Sequence, residues 1–96
     1  MSSGGRSPLV RLLALLVQTH EARFALAETR RLFELAQTMD EAIALASREL
    51  AEELMLLDLE LRVAEARVEL LVWETEQAEQ ERAEADEEEE PLPAAA

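Results

Sequence analysis

The side chains best suited to acid–base or metal chemistry in this sequence are one histidine and many carboxylates. The chain has a single His, His20, together with 22 Asp and Glu residues and no Cys. An active site needs a nucleophile, a general base or a metal held in a concave pocket. A di-iron site in a helical bundle would require a Glu three residues before a His, but Val17 occupies that position. Glu52 lies four positions from Arg48 and Glu65 three positions from Arg62, spacings typical of a solvated, ion-paired helix face. We therefore expect no enzyme, no metal site and no cofactor.

His20 has one alternative interpretation. If the chain folds back on itself, His20 comes close to Leu57 and Asp58, and a His–Asp pair could act as a pH switch. A histidine on the side of a helix with one acidic neighbour explains the same pattern more simply. We favour the simpler interpretation.

Composition and charge narrow the class of protein. The 96 residues are 49% hydrophobic but only 3% aromatic, and Ala, Leu, Glu and Arg dominate, which indicates long helices or coiled coils. The use of Arg without any Lys is typical of a GC-rich bacterial genome. The net charge is −13, with a balance of +2 over residues 1–39 and −15 over residues 40–96. This charge argues against binding to nucleic acid or to anionic membranes and is compatible with a basic protein partner.

Residues 50–73 predict a helix with apolar side chains on two opposite sides. Both sets are spaced alternately four and three residues apart, the spacing of coiled-coil contact positions. Row 1 of this helix comprises Leu50, Leu54, Leu57, Leu61, Ala64, Val68 and Leu71. Row 2 comprises Leu56, Leu59, Val63, Ala66, Leu70 and Trp73. The two rows lie roughly 160–180° apart around the helix, so the helix needs a partner on each side.

Residues 8–37 predict an earlier helix with two weaker rows, which an Ala/Leu-rich composition explains equally well. Row 1 of this helix comprises Val10, Leu13, Val17, His20, Phe24, Ala27 and Arg31. Row 2 comprises Leu12, Leu15, Thr19, Ala22, Leu26, Thr29, Phe33 and Ala36. Ser7 and Pro8 suit the start of this helix as N-cap and first helical residue.

A turn at residues 38–40 predicts that the two helices form a hairpin. Thr38 and Glu41 have the spacing of a capping box, which starts a second helix at residues 41–85. No Gly or Pro marks the turn, so one continuous helix remains the alternative. In a continuous helix residues 12 and 66 would lie about 80 Å apart, whereas in a hairpin they would be neighbours. We favour an all-α, coiled-coil-like antiparallel hairpin whose second helix overhangs the first, and we expect it to be oligomeric.

Row 1 of both helices is predicted to form the hairpin core, and row 2 to form an interface with another copy. The predicted core comprises Val10, Leu13, Val17, Phe24, Leu35, Ile43, Leu50, Leu54, Leu57, Leu61, Val68 and Leu71. The predicted interface comprises Leu56, Leu59, Val63, Leu70, Trp73, Leu12, Leu26 and Phe33. Trp73 has two interpretations, an interface anchor or a cap packed on Pro8 and Leu9 at the open end.

The termini are predicted to lie outside the fold. Residues 1–7 are flexible in composition, and residues 86–96 predict a disordered tail of acidic residues, Pro and Ala. Residues 9–17 are apolar but far shorter than the roughly 20 residues of a membrane span. Export through a signal peptide is the less favoured interpretation because Arg11 lies inside that apolar stretch. We expect a cytoplasmic protein.

The sequence therefore predicts a non-enzymatic helical building block or adaptor that self-associates. The alternative is a small acidic chaperone, scaffold or inhibitor that binds a basic or amphipathic-helical protein. Both functions require an apolar row that the hairpin itself leaves uncovered.

Overall fold

Two antiparallel α-helices make up the part of the chain that the computed structural model describes, residues 7–88. Helix α1 spans Leu9–Glu34 and helix α2 spans Met39–Glu88, with residues 35–38 between them and no strand within the described range. Leu12 and Ala66 belong to one buried cluster. The predicted all-helical hairpin is therefore confirmed, and the alternative of one continuous helix is wrong.

The helix boundaries differ from the predicted ones by a few residues. Helix α1 ends at Glu34 rather than at residue 37, because the N–H groups of Leu35 and Ala36 bond to carbonyls three residues back and tighten the last turn. Helix α2 begins at Met39 rather than at residue 41 and continues through Glu88, past the predicted end at residue 85. Residues 86–88 are therefore helical where disorder was predicted: they continue a stretch rich in Glu and Ala, residues that favour helix, and the first Pro comes only at position 91. Residues 1–6 and 89–96, for which flexibility was predicted, lie outside the described residues.

The predicted capping box is confirmed at the start of α2. The Thr38 hydroxyl accepts a hydrogen bond from the Glu41 N–H at 3.1 Å, and the Glu41 carboxylate accepts from the Thr38 N–H at 3.3 Å. The same carboxylate accepts from the Gln37 N–H at 2.9 Å. At the start of α1, the Ser7 hydroxyl accepts from the Leu9 N–H at 3.1 Å. Side chains thus satisfy backbone donors that a helix N-terminus leaves unpaired, and they turn the chain without Gly or Pro.

Row 2 of each helix, not row 1, lies between the two helices. Buried side chains from α1 are Leu12, Leu15, Thr19, Leu26 and Thr29, and those from α2 are Leu59, Val63 and Ala66. All twelve residues of the predicted core are exposed, with exposed fractions between 52% and 76%. The predicted core is therefore wrong: Val10, Leu13, Val17, Phe24, Leu35, Ile43, Leu50, Leu54, Leu57, Leu61, Val68 and Leu71 all lie on the outside.

The predicted interface is wrong for the same reason, since it occupies the inside of the hairpin. Leu12, Leu26, Leu59 and Val63 are buried, and Leu56, Leu70 and Trp73 are half-buried. Phe33 is 40% exposed near the turn.

Polar groups explain why row 2 is buried. Burying row 1 of α1 would take His20 and Arg31 out of water, which is costly without partners. Row 2 of α1 contains only threonines as polar residues, and the Thr19 hydroxyl donates to the Leu15 carbonyl at 2.7 Å. Small residues such as Ala22 and Ala66 also let the helices approach closely.

Ion pairs along the sides of the core define the register of the helices. Arg11 pairs with Glu69, Arg23 with Glu60, and Arg30 with both Glu49 and Glu53. The residue numbers of each pair add to between 79 and 83, so the start of α1 lies opposite the region of Trp73. Helix α2, with 50 residues against 26 in α1, therefore extends past α1 by roughly 15 residues or about 20 Å.

Two matched substitutions in α2 test whether row 2 or row 1 forms the core. Replacing Leu59, which is 8% exposed, by Ala should lower the free energy of unfolding by about 2–4 kcal/mol, because it leaves a cavity between the helices. Replacing Leu57, which is 61% exposed, by Ala should cost less than about 1 kcal/mol. Urea unfolding should be followed by circular dichroism at concentrations where the chain is monomeric. A larger loss for Leu57→Ala would show that row 1, not row 2, forms the core.

Candidate interaction surface

The two long outer edges of the hairpin are apolar. On each helix row 1 lies roughly opposite row 2, so burying row 2 between the helices turns both copies of row 1 outward. One edge is row 1 of α1 and the other edge is row 1 of α2. The two edges face away from each other.

The α2 edge is an unbroken apolar row. Its six large residues, Leu50, Leu54, Leu57, Leu61, Val68 and Leu71, have exposed fractions between 57% and 63%. Ala64 completes the row, which contains no charged residue and is about 30 Å long. Toward the turn Ile43 extends the row after Ser47, and it is 57% exposed.

The α1 edge is apolar but interrupted by basic residues. Val10, Leu13, Val17 and Phe24 are exposed, and His20 and Arg31 are exposed members of the same row. His20 does not form the pair with Asp58 that the less favoured interpretation required, because Asp58 pairs with Arg62 at 3.0 Å. The α1 edge thus combines apolar contacts with positive charge.

Charged residues flank both edges and are already paired within the hairpin. Arg30 binds Glu49 at 3.0 Å and Glu53 at 2.9 Å, and hydrogen bonds, first to Glu49 and then to Glu53, raise the pKa of Arg30 above its usual value. Arg23 binds Glu60 at 3.1 Å. These arginines are more than half exposed, and ion pairs in contact with water contribute little to the free energy of folding. Their contribution is to fix the register of the helices rather than to hold them together.

Three shallow grooves interrupt the broad faces, and their linings do not resemble an active site. One of about 380 Å³ lies at the turn among Leu32, Leu35, Ala36, Glu41, Ala44 and Leu45. The other two flank the middle of the core, where Thr19 and Ala22 are small, and their charged linings include Arg23 with Glu60 and Asp58 with Arg62. His20 lines none of these three grooves. Within residues 7–88, no group of three or more His, Asp or Glu side chains is placed to hold a metal ion.

Three buried polar atoms have no hydrogen-bond partner among the described residues. They are the Thr29 hydroxyl, one carboxylate oxygen of Glu52 and the indole nitrogen of Trp73. Thr29 and Glu52 lie in the half of the hairpin nearer the turn, whereas the buried apolar cluster lies in the other half. Unpaired buried groups cost free energy, so these three atoms lower the stability of the hairpin.

The sequence predicted row 1 for the hairpin core and row 2 for the interface, which is the reverse of the burial that the structure shows. Three arginines in the sequence, Arg11, Arg23 and Arg30, indicate that row 2 of α1 faces α2. These arginines flank row 2 of α1, and each has an acidic residue at the matching position of α2. The charged residues beside the rows therefore indicate which row of α1 faces which row of α2, whereas the apolar spacing is the same for both rows.

Comparisons with protein-family models, with curated proteins and with solved structures find no match to this chain. Between residues 7 and 88, neither helix combines the length and apolar character that crossing a membrane would take.

Because the chain has no Cys, single cysteines can report which side of α2 is accessible. Leu57→Cys should react with a water-soluble thiol reagent at least tenfold faster than Leu59→Cys, because position 57 is 61% exposed and position 59 only 8%. The measurement is the rate of labelling by mass spectrometry, at a concentration where the chain is monomeric. Equal rates at the two positions would contradict the burial of row 2.

Proposed function

We propose that this chain is a non-enzymatic helical building block that binds further copies of itself through the outer edges of the hairpin. The observation that carries the proposal is the exposure of the whole of row 1 on α2, an uncharged row with coiled-coil spacing.

The size of the edge supports a protein partner. Six large apolar side chains in one row, each more than half exposed, form a contiguous patch on the order of several hundred Å². Soluble monomers seldom expose such a patch, and interfaces of stable complexes bury about 800 Å² on each partner. A surface of this kind gains free energy when another apolar surface removes it from water.

The spacing of the edge supports a helix as the occupant. Side chains that alternate four and three residues apart fit between the side chains of a helix with the same repeat. The α1 edge of this chain has that repeat, so a second copy offers a matching surface. A second copy is therefore the occupant that we propose.

A second candidate function rests on the extension of α2. Beyond Trp73, residues 74–86 are exposed except for the half-buried Gln77, and residues 74–88 include eight acidic residues and one Arg. This exposed negative charge suits a basic protein, as expected of an acidic chaperone or inhibitor. A hairpin that remains monomeric at high concentration would favour this candidate.

The test of self-association compares two added charges at equally exposed sites. Leu57→Glu places a carboxylate in row 1, and Met55→Glu places one on a broad face outside it, where the native side chains are 61% and 60% exposed. Leu57→Glu should weaken association at least tenfold, because an unpaired charge would be buried in the contact. Met55→Glu should leave association close to that of the native chain.

Sedimentation equilibrium or light scattering measures the mass, and circular dichroism checks that both variants keep native helicity. A native chain with the mass of a single 10.8 kDa polypeptide at all concentrations would overturn the proposal. If the two variants associate equally strongly, row 1 of α2 is not part of the contact between copies.

A further inference from the structure

We infer that the copies join side by side, with the α1 edge of one hairpin packed against the α2 edge of the next. This inference rests on the proposed self-association and specifies which surfaces meet. Its alternative is a symmetric dimer in which two α2 edges meet each other.

The geometry of the hairpin leaves any single contact incomplete. The two apolar edges face in opposite directions, so a symmetric dimer through the α2 edges would leave both α1 edges in water. Val10, Val17 and Phe24 would then stay at their present exposed fractions of 57–76%. A contact between unlike edges covers both kinds of edge at once in every interior copy.

The two edges match layer by layer when hairpins lie side by side at the same level. An antiparallel arrangement places Val10 opposite Leu71, Phe24 opposite Leu57, and Ala27 opposite Leu54. The residue numbers of these pairs add to 81, within the range of 79–83 that the ion pairs inside the hairpin follow. A neighbouring hairpin can therefore bind at the same axial level, with the residue pairing that α1 and α2 have within one hairpin.

Side-chain sizes and polar heads also fit this arrangement. Val17 would face Ala64, so a larger side chain meets a small one, as Leu54 meets Ala27 in another layer. His20 would face Leu61 and Arg31 would face Leu50. Each can lay its apolar part over the leucine while its polar end stays in water at the rim of the contact, so neither polar group is fully buried.

Charge favours contact between unlike edges. Helix α1 carries four Arg and three Glu, whereas α2 carries four Arg and seventeen Asp and Glu residues. Two α2 edges in contact would bring Glu60 and Glu65 of one copy towards the acidic flank of the other, and like charges in contact are unfavourable. The α1 edge instead presents Arg23, Arg30 and Arg31, each already bound to a carboxylate of its own hairpin, so this contact brings fewer unbalanced negative charges together.

A contact between unlike edges is directional. Each copy that binds a neighbour through its α1 edge still offers its α2 edge, so addition continues until a ring closes or a ribbon forms. A symmetric contact through one edge would stop at two copies. The native chain should therefore form assemblies larger than a dimer.

The decisive experiment mixes two variants that each lack one edge. Phe24→Glu damages the α1 edge and Leu57→Glu damages the α2 edge, at positions that face each other in the proposed contact. Each variant alone should be monomeric, because its one intact edge has no matching intact edge to bind. An equimolar mixture should form a dimer of one copy of each, twice the 10.8 kDa of the chain, through the two intact edges.

Other outcomes separate the two proposals. If Phe24→Glu alone is a dimer and mixing changes nothing, like edges meet: the inference is overturned while the proposed self-association stands. If the native chain is monomeric, the proposed self-association itself fails. Val17→Glu with Leu61→Glu provides a second pair should either first variant lose its helicity, and the same masses decide the outcome.

Discussion

Each helix of this protein carries apolar residues on two opposite sides, whereas the described chain gives each helix only one neighbour. One row on each helix can be buried in the hairpin and the other cannot. The choice depends on polar groups more than on apolar area, because both α2 rows are rich in leucine or valine. Row 2 of α1 has only two hydroxyls as polar groups: that of Thr19 donates to the Leu15 carbonyl, and the unpaired hydroxyl of Thr29 costs less to bury than a charge. Row 1 of α1 has an imidazole and a guanidinium that retain water by staying outside.

The ion pairs complement this choice. Arg11, Arg23 and Arg30 meet carboxylates of α2 only when row 2 lies between the helices in the observed register. Each pair is too exposed to contribute much free energy. A row that repeats every seven residues could, however, slide by one repeat with little loss of apolar contact, and mismatched charges oppose such a slide. Burial thus supplies most of the stability, and the charges supply the alignment.

Most of the architecture could be predicted from the sequence because it follows from local signals. The helices follow from composition, the turn follows from the box formed by Thr38 and Glu41, and the overhang follows from unequal helix lengths. The inner and outer rows were assigned the wrong way round because both rows have the same spacing. The spacing shows which residues share one side of a helix, but not whether that side faces the other helix or solvent. The threonines of row 2 cost less to bury than the His20 and Arg31 of row 1, and this difference between the polar residues was not used to choose the inner row. Both rows were therefore recognisable from the sequence, but their burial was assigned the opposite way round.

The unequal lengths of the helices have a further consequence for assembly. Hairpins placed side by side in one register all point the same way, so every α2 extension would emerge along one rim. Each extension has a net charge of about −7 over residues 74–88, from eight acidic residues and one Arg. Neighbouring extensions would stand roughly 20 Å apart, twice the usual distance between packed helices. The Debye length is about 8 Å in physiological salt, shorter than this separation, so the charges of neighbouring extensions are screened from each other. At 0.01 M salt it is about 30 Å, longer than the separation, so neighbouring extensions repel each other. In the proposed assembly, the extension would make ionic strength a control on how many copies can pack next to one another.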